Sequence, residues 1–338
     1  MAKEYNVAIM GATGAVGEIM RDILEERKFP VKSIKFLASE RSKDKKMTFK
    51  GREHKVEVLS PESFKGVDIV LASAGASISK EYVKHILGAG ALLIDNSSAF
   101  RMEPDVPLVV PEINPEDCRL NKGIISNPNC TTIIMIVPLK PIHDAAKIRR
   151  IVCSTYQAAS GAGAKAMAEL EQQARDWAAG KDLKVEKFPY QILFNVIPHI
   201  DVFMDDGYTK EEIKVINETR KIMHEPGMKI TATTVRVPVL RAHSESVNIE
   251  TEKKLTADEV RKILSKAPGV TVEDDPKNKK YPMPLFVSGR DNVYVGRIRK
   301  DGSNDNGINL WIVGDQLRKG AALNAVQIAE IVQREGLK

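Results

Sequence analysis

The stretch "YNVAIMGATGAVGEIMRDILEE", residues 5–26 of a 338-residue chain, decides the fold class. Residues 5–10 are apolar enough for a buried strand, and the end of the stretch has the spacing of an amphipathic helix. Gly11, Gly14 and Gly17 join the two segments. Glycines at such a turn let the backbone approach a pyrophosphate, whose charge is favoured at a helix N-terminus. The stretch therefore predicts a nucleotide-binding unit, and a purely structural strand-to-helix turn is the alternative.

Apolar runs and helical patterns alternate through the rest of the first half. We predict four further strands, at residues 33–39, 67–73, 91–97 and 106–113. This alternation indicates an α/β fold with a Rossmann-like, doubly wound parallel sheet, in which ligands bind at the carboxyl ends of the strands. Ser73 ends one predicted strand and is a candidate ligand residue. Arg101 follows another, where it can meet an anionic substrate or simply face solvent.

The end of the strand at residues 33–39 bears on the choice of cofactor. NAD-binding proteins usually carry an acidic residue there for the ribose hydroxyls, whereas an arginine accommodates the 2′-phosphate of NADP. Ser39, Arg41 and Ser42 stand at this end, with Glu40 among them. The pattern favours NADP over NAD.

Composition and charge exclude several classes of protein. Apolar residues make up 43% of the chain, but no apolar run is long enough to span a bilayer. The three cysteines have no framework spacing and no signal peptide is visible, so we expect a cytoplasmic protein. Despite a net charge of +6, the lack of a basic stripe and the 5% aromatic content argue against a nucleic-acid partner. No metal-ligand motif is present, so we expect no metal site.

The stretch "SNPNCTTIIMIVPL", residues 126–139, places Cys130 between a Pro-Asn turn and an apolar run of helical character. A helix N-terminus stabilises a thiolate through its partial positive charge and its N–H groups. Cys118 lies in a polar stretch and Cys153 in an apolar strand, so neither has this setting. Cys130 is therefore the candidate nucleophile.

A strand predicted from residue 148 onward delivers Gln157 near its end, where a side chain can orient a substrate or a water. Ser160 and Gly161 follow in a turn that leads into a helix. Their backbone N–H groups are candidates for binding a nicotinamide amide or a phosphate. Taken singly, these signals also fit an ordinary structural turn.

Two charged pairs occur later in the second half. Glu211 and Lys214 lie three residues apart on a predicted helix, and such neighbours usually form a solvated ion pair. Arg236 and His243 lie seven residues apart in a strand-like stretch, so an unbroken strand would put them on opposite faces. Only a break in the strand lets both reach one site. His243 is the best candidate base among the six histidines because its neighbours are polar.

Five motifs, "GATGAVG", "SNPNCTT", "QAASGAG", "RVPVLRAHSES" and "LRKGAALNAVQIAE", together resemble the aspartate-β-semialdehyde dehydrogenases over nearly the whole chain. The shorter bacterial form is the nearer relative. The resemblance implies an NADP-binding domain at residues 1–129 with 319–338. It also implies an α+β catalytic and dimerisation domain of the glyceraldehyde-3-phosphate dehydrogenase-like type at residues 130–318, and a homodimer or homotetramer.

The implied reaction is the NADPH-dependent reductive dephosphorylation of L-aspartyl-4-phosphate to L-aspartate-4-semialdehyde through a cysteine thioester. The substrates would be aspartyl phosphate, aspartate semialdehyde and phosphate. The product would feed the synthesis of lysine, threonine, methionine and diaminopimelate. Cys130 would accept the acyl group and His243 would be the general acid/base, which suits an imidazole near neutral pH.

The other expected site residues follow from the same resemblance and from the patterns above. Asn129 and Gln157 would orient the intermediate and the substrate. The residues that would hold the substrate and its phosphate are Arg101, Glu211 or the adjacent Glu212, Lys214 and Arg236. The expected NADP contacts are Gly11, Thr13, Gly14, Ala15, Val16, Ser39, Arg41, Ser42, Ser73, Ser160, Gly161 and Gln316. Gln316 stands where many relatives carry asparagine, which leaves its contact with the nicotinamide open.

Other functions remain as alternatives. N-acetylglutamyl-phosphate reductases resemble this layout but have a different sequence around their cysteine. Glyceraldehyde-3-phosphate dehydrogenases share an Asn-x-x-Cys-Thr-Thr segment on a different second half. A catalytically inactive NADP-binding protein is the third alternative, and the joint presence of Cys130, Gln157, Arg236 and His243 argues against it.

Overall fold

The computed structural model describes residues 3–338. The expectation of no signal peptide falls partly on Met1 and Ala2, which lie outside the described residues. The chain divides into two compact units, Met1–Asn129 with Ala321–Lys338, and Cys130–Gly320. No helix within residues 3–338 is both long and apolar enough to cross a membrane.

The first unit contains a seven-stranded sheet. Its strands are β1 (Tyr5–Met10), β2 (Val31–Ala38), β3 (Lys46–Phe49), β4 (Arg52–Val58), β5 (Ile69–Ala72), β6 (Leu92–Asp95) and β7 (Ile124–Ser126). Their order is β3-β4-β2-β1-β5-β6-β7. All neighbours are parallel except β3 and β4, which pair antiparallel at one edge.

Helices cover both faces of this sheet. The helices are α1 (Ala15–Glu26), α2 (Ala76–Gly88) and α8 (Leu323–Glu335), with short 3-10 turns at Glu40–Ser42, Pro61–Phe64 and Pro115–Leu120. The apolar residues of α1 and α8 share one core cluster with the sheet, and Ile86 of α2 belongs to the cluster on the other face. The predicted doubly wound architecture is therefore confirmed. The apolar face of the last helix is buried as well, and its members are Leu323, Val326, Ile328 and Ile331.

The strand predicted at residues 106–113 is wrong. Only an isolated bridge between Leu108 and Ser126 occurs there, and the edge strand is β7 instead. Pro107 and Pro111 lack the N–H groups that a continuous ladder needs. The segment is nevertheless buried, and Asn114 holds it by accepting from Val110 N at 2.9 Å and donating to the Leu108 carbonyl at 2.9 Å.

The second unit contains a six-stranded mixed sheet. Its strands are β8 (Ile148–Gln157), β9 (Lys229–Arg236), β10 (His243–Thr251), β11 (Val270–Val272), β12 (Val293–Lys300) and β13 (Gly307–Gly314). Their order is β11-β12-β13-β10-β8-β9. The helices are α3 (Cys130–Ala146), α4 (Ala164–Ala178), α5 (Lys210–Ile222), α6 (Ala257–Leu264) and α7 (Pro284–Val287). Short 3-10 turns occur at Ala159–Ala162 and Pro276–Asn278, and a π-helical turn, Arg318–Ala322, precedes α8 in the chain.

Helix α3 is held by its surroundings rather than by its own propensity. It contains Pro138 and Pro141, which remove backbone donors from the helix interior. The helix is buried continuously from Thr131 to Leu139, and Ile134 lies against Gly314 at the end of β13. Tertiary packing therefore outweighs the two prolines. This packing fixes the start of the helix, where Cys130 lies.

Candidate active site

The loop between β1 and α1 has the geometry expected of a phosphate-binding turn. Gly11 has a φ of +87°, and a Cβ at this position would lie 2.6 Å from the Ser73 carbonyl oxygen. Only glycine fits there without moving β5. Gly14 is the N-cap residue of α1, so the helix begins with Ala15 and Val16 and has no side-chain cap. The donors of the first turn are therefore not covered by a capping side chain.

Thr13 and Ser42 are brought together beside this loop. Their hydroxyl oxygens are 3.0 Å apart, although 29 positions separate them in the chain. Ser39 precedes the 3-10 turn that carries Arg41 and Ser42. The Glu40 carboxylate forms a surface ion pair with Lys43 at 3.2 Å. The structure thus joins the glycine loop to the end of β2.

Arg101 is a buried residue of the first unit and not the surface arginine of the alternative interpretation. Its side chain donates to two backbone carbonyls, from Nε to Asn127 at 2.9 Å and from Nη2 to Asn96 at 2.7 Å. These bonds orient the guanidinium. The Asn96 carbonyl follows β6 directly, so Arg101 lies at the carboxyl end of the parallel sheet.

The three thiols lie in different environments. Cys130 is half-buried and is the first residue of α3, directly after the buried Asn129. Burial raises the pKa of the Cys118 thiol to about 12, and burial also raises the pKa of Cys153 well above its ordinary value. Those two thiols are kept protonated, which is unsuited to nucleophilic attack.

Gly320 is a site residue that the sequence analysis missed. A Cβ at this position would lie 2.9 Å from the Cys130 Cβ, so any side chain would displace the thiol. The glycine is 190 positions away in the chain, and no local pattern links it to the cysteine.

Arg236 and His243 meet because the strand between them breaks. Arg236 ends β9 and His243 begins β10, so residues 237–242 form the predicted break. Gln157 ends β8 and pairs in register with Arg236. A Cβ on Gly161 would lie 2.8 Å from Arg236 Nη1 and 3.0 Å from His243 Nε2. These four residues therefore converge at one end of the sheet.

The tautomer of His243 follows from its contacts. The backbone N–H of Ala158 donates to His243 Nδ1 at 3.1 Å, so Nδ1 must be the unprotonated nitrogen. The neutral ring therefore carries its proton on Nε2, which has no hydrogen-bond partner within residues 3–338. Burial, and then the charge of Arg236, hold the pKa of His243 well below its ordinary value. The ring presents an unused N–H donor towards Gly161.

Arg236 is fixed and buried. Its Nη1 donates to the Ala158 carbonyl at 2.6 Å. Burial lowers the pKa of the guanidinium, and the negative charges of Glu211 and of Cys130 act in the opposite direction. Glu211 and Cys130 therefore both interact electrostatically with the Arg236 guanidinium.

A chain of hydrogen bonds runs from Thr155 through Gln157, Glu211 and Lys214 to Asp201. The Thr155 hydroxyl donates to Gln157 Oε1 at 3.0 Å, and Gln157 Nε2 donates to Glu211 Oε1 at 3.3 Å. Lys214 Nζ donates to Glu211 Oε2 at 3.3 Å and to Asp201 Oδ2 at 2.6 Å. Burial lowers the pKa of Lys214, but the two carboxylates outweigh it and raise that pKa. Asp201 was not predicted from the sequence, because it has no helical or strand spacing to Lys214.

Glu211 and Glu212 make different contacts in the structure. The Glu212 carboxylate accepts from the backbone N–H of Thr209 at 2.7 Å and of Thr234 at 2.9 Å. It belongs to the capping box at the start of α5. Glu211 contacts the functional side chains Gln157 and Lys214, so the geometry favours Glu211 as the site residue.

Ser160 and Gln316 are in contact in the second unit. Gln316 Nε2 donates to Ser160 Oγ, and Gln316 Oε1 accepts from the backbone N–H of Ala242 at 2.9 Å. Gln316 is only 1% exposed. No cluster of residues suited to a metal ion occurs within residues 3–338.

Comparisons with known proteins place the chain in a family. The model for the NAD-binding domain of semialdehyde dehydrogenases matches residues 6–120, and the model for their dimerisation domain matches residues 139–319. The aspartate-semialdehyde dehydrogenase of Aquifex aeolicus is 58% identical over 98% of this chain and 99% of its own length. The chain belongs to the aspartate-semialdehyde dehydrogenase family. Members of this family are oxidoreductases of amino-acid biosynthesis.

Solved structures of the family agree with this assignment. Aspartate semialdehyde dehydrogenase II from Vibrio cholerae, complexed with ASA, is 45% identical and superposes with a TM-score of 0.96 over 99% of both chains. Aspartate semialdehyde dehydrogenase from Candida albicans, with NADP, is 25% identical and has a TM-score of 0.78 over 99% of this chain and 100% of its own. The family fold therefore extends over the whole chain.

Proposed function

We propose that the protein catalyses the NADPH-dependent reductive dephosphorylation of L-aspartyl-4-phosphate to L-aspartate-4-semialdehyde. The observation that carries the proposal is the convergence of Gln157, Gly161, Arg236 and His243 at one end of the mixed sheet. Cys130 interacts electrostatically with Arg236 of the same unit. The unit thus contains a thiol at a helix start, a proton-bearing imidazole and a fixed cation.

Substrate binding uses charge complementarity. The planar guanidinium of Arg236 suits the α-carboxylate of the substrate, and Glu211 suits its α-amino group. We assign Arg101 and Lys214 to the phosphate, whether inorganic or acyl-linked. Lys214 has two carboxylate partners in the structure, so phosphate binding would exchange at least one of them.

The first chemical step is attack by Cys130. A thiolate is favoured by the start of α3 and by a nearby guanidinium. It adds to the acyl carbonyl, the C–O bond to phosphate breaks, and the phosphate leaves with the electron pair. The product is a thioester on Cys130, which divides one difficult reduction into two easier steps. Asn129 and Gln157 orient this intermediate.

The second step reduces the thioester to a thiohemiacetal oxyanion. When bound, NADPH supplies the hydride for this reduction. His243 faces the developing negative charge with its Nε2–H. As the general acid/base, this donor stabilises the oxyanion and shares its proton with it, and the proton returns to Nε2 when the thiohemiacetal collapses. Collapse of the thiohemiacetal breaks the C–S bond and releases the aldehyde and the thiolate.

The residues of the first unit fit a dinucleotide. The open N-terminus of α1 and the side-chain-free turn at Gly11 leave room for a pyrophosphate. Arg41, with Ser39, Thr13 and Ser42 close to it in sequence or in space, is suited to the 2′-phosphate that distinguishes NADP from NAD. The other residues assigned to NADP are Gly14, Ala15, Val16, Ser73, Ser160 and Gly161. We accordingly assign residues 1–129 with 319–338 to NADP binding and residues 130–318 to catalysis and dimerisation.

The assignment also gives the protein a cellular role. Its product would serve lysine, threonine, methionine and diaminopimelate synthesis in the cytoplasm. The match to a dimerisation-domain model supports a homodimer or homotetramer.

The experiment that tests the proposal follows phosphate-dependent reduction of NADP at 340 nm with L-aspartate-β-semialdehyde. We expect turnover by the wild type, loss of at least about a thousandfold in Cys130→Ala, and near-normal turnover in the control Cys118→Ala. If the protein instead acts on N-acetylglutamate semialdehyde or glyceraldehyde 3-phosphate, the assigned substrate is wrong but the proposed mechanism still holds. No activity on any of these three substrates, in a protein that still binds NADP, would refute the enzymatic proposal.

A further inference from the structure

We propose that Asp201 is the counter-ion that phosphate displaces from Lys214 when it binds. The inference rests on the proposed function, which assigns Lys214 to the phosphate, and extends it to a residue outside that assignment. It predicts that a side chain of the protein and the anionic ligand compete for one ammonium group.

Lys214 has two carboxylate partners at different distances. Its Nζ donates to Asp201 Oδ2 at 2.6 Å and to Glu211 Oε2 at 3.3 Å. The Lys214 side chain is 27% exposed, so an anion from solvent can reach the ammonium. An ammonium is a point charge that binds carboxylate and phosphate oxygens alike. Asp201 therefore occupies a position at Lys214 that suits a phosphate oxygen.

Glu211 is the partner that stays in place. Its side chain is only 9% exposed, and its other carboxylate oxygen accepts from Gln157 Nε2 at 3.3 Å. Removal of the cation from this carboxylate would leave a buried negative charge without compensation, which is strongly destabilising. Phosphate therefore does not take the place of Glu211.

Asp201 can leave Lys214 at a lower cost. Its side chain is 32% exposed, so rotation about the side-chain bonds brings the carboxylate into water. Its second oxygen, Oδ1, accepts from the backbone N–H of the next residue, Val202, at 2.9 Å. Water can replace both hydrogen bonds once the side chain turns outwards, so the charge is not left without partners. Of the two carboxylates, Asp201 is the one that phosphate displaces.

The backbone on both sides of Asp201 is held, so the exchange involves the side chain alone. On one side, Ile197 and Arg236 exchange two backbone hydrogen bonds, at 2.9 and 2.8 Å. On the other side, the backbone N–H of Lys210 donates to the Val202 carbonyl at 2.9 Å. Asp201 therefore lies in a segment that connects Arg236 to the start of α5, which are both parts of the proposed substrate site.

This competition favours one direction of phosphate movement. In the biosynthetic direction, phosphate becomes a product as soon as the thioester has formed. The return of the Asp201 carboxylate to Lys214 then offsets the loss of the contact between phosphate and ammonium, and so promotes phosphate release. In the opposite direction, the same carboxylate raises the KM for phosphate.

The test measures the binding of inorganic phosphate to the NADP-saturated protein by isothermal titration calorimetry. Asp201→Asn removes the charge but keeps the size of the side chain and an acceptor for the Val202 N–H. Asp205→Asn, at an exposed aspartate of the same loop, is the matched control. Lys214→Met, alone and combined with Asp201→Asn, shows whether the effect depends on the ammonium. The KM values for phosphate and for aspartate semialdehyde are measured on the same proteins.

We expect both the Kd and the KM for phosphate to fall by about threefold to tenfold in Asp201→Asn, because a competing ion pair is removed. The KM for aspartate semialdehyde should stay within about twofold of the wild type, and Asp205→Asn should leave the Kd for phosphate within about twofold. Lys214→Met should weaken phosphate binding, and the gain from Asp201→Asn should disappear in that background. A merely structural role of Asp201 would not make phosphate bind more tightly.

Three outcomes would overturn the inference. These are an unchanged or higher Kd for phosphate in Asp201→Asn, an equal gain in affinity in Asp205→Asn, and a gain that persists in the Lys214→Met background. If Lys214→Met leaves phosphate binding unchanged, the assignment of Lys214 under the proposed function is wrong and the inference fails with it. Calorimetry needs no turnover, so a failure to act on aspartate semialdehyde would count against the proposed function alone.

Discussion

Glu245 carries a carboxyl group that the fold buries without a partner. It lies two residues after His243 on β10, between Thr155 of β8 and Ile312 of β13. The residue is 0% exposed, and neither carboxylate oxygen has a hydrogen-bond partner within residues 3–338. Burial raises the pKa of Glu245 well above its ordinary value. Burial therefore favours the neutral carboxylic acid over the carboxylate in the folded protein.

The neutral state of Glu245 makes stability depend on pH. Below about pH 4.5 the carboxyl group of Glu245 is protonated in both the folded and the unfolded chain. It therefore adds no pH dependence to the free energy of unfolding in that range. Above that pH only the unfolded chain ionises, so stability falls by about 1.4 kcal/mol per pH unit until the pH reaches the raised pKa. Glu245→Gln removes this loss, and its advantage in unfolding free energy should grow from pH 5 to pH 7.

Urea unfolding of the wild type and Glu245→Gln at several pH values measures this difference. Glu250→Gln, a more exposed position on the same strand, is the control for the chemical change. A constant difference between wild type and Glu245→Gln across the pH range would show that Glu245 is ionised when folded.

Two helices of the second unit begin with the same capping box. Thr209 and Glu212 form it at the start of α5, and Thr256 and Glu259 form it at the start of α6. Only α5 carries site residues. A comparison of the two capping boxes therefore distinguishes the effect of a cap on stability from its effect on the site.

Thr209→Ala and Thr256→Ala should each lower the free energy of unfolding by about 1 kcal/mol, because each removes one capping hydrogen bond. Only Thr209→Ala should also raise KM for aspartate semialdehyde, since Glu211 is in the first turn of α5. Denaturant unfolding and steady-state kinetics on both variants test this. Equal KM values in the two variants would mean that the cap does not position Glu211.

Local patterns explain which elements the sequence predicts well. The first strand, at residues 5–10, depends on neighbouring residues and is confirmed. The strand at residues 106–113 is wrong because apolar content outweighed two prolines. The β3–β4 hairpin was not predicted, because charged residues interrupt its short strands.

Among the residues of the candidate site, too, only those with an informative local sequence could be predicted. Cys130 and His243 stand out because their immediate sequence is informative. Asp201 and Gly320 were missed, because each acts on a residue that is distant in the chain and only the fold brings them together. A single sequence carries no local sign of such contacts.

At the scale of the molecule, the last helix belongs to the first unit. The apolar face of α8 packs into the same core cluster as Met20 and Ile23 of α1. Asn324 Nδ2 donates to the Val109 carbonyl at 2.9 Å and to Asn127 Oδ1 at 2.6 Å. Four buried side chains of this face contribute roughly 6–12 kcal/mol, which is comparable to the total stability of a domain.

A chain that ends at residue 320 should therefore lose NADP binding, because the first unit lacks part of its core. The second unit should still unfold cooperatively, as followed by Trp177 and Trp311, the two tryptophans of the chain, which both lie in it. A chain that ends at Glu335 retains α8 and serves as the control. NADP affinity within about twofold of the full chain after the longer deletion would contradict this prediction.

This arrangement of the chain has a consequence for its synthesis on the ribosome. The first unit starts to emerge first, yet it is completed only when residues 321–338 leave the exit tunnel. Domains generally fold in the order in which they are made. Here most of the inserted unit emerges while the N-terminal segment still exposes the apolar surface that α8 will cover. That apolar surface therefore stays uncovered during translation until the final helix emerges.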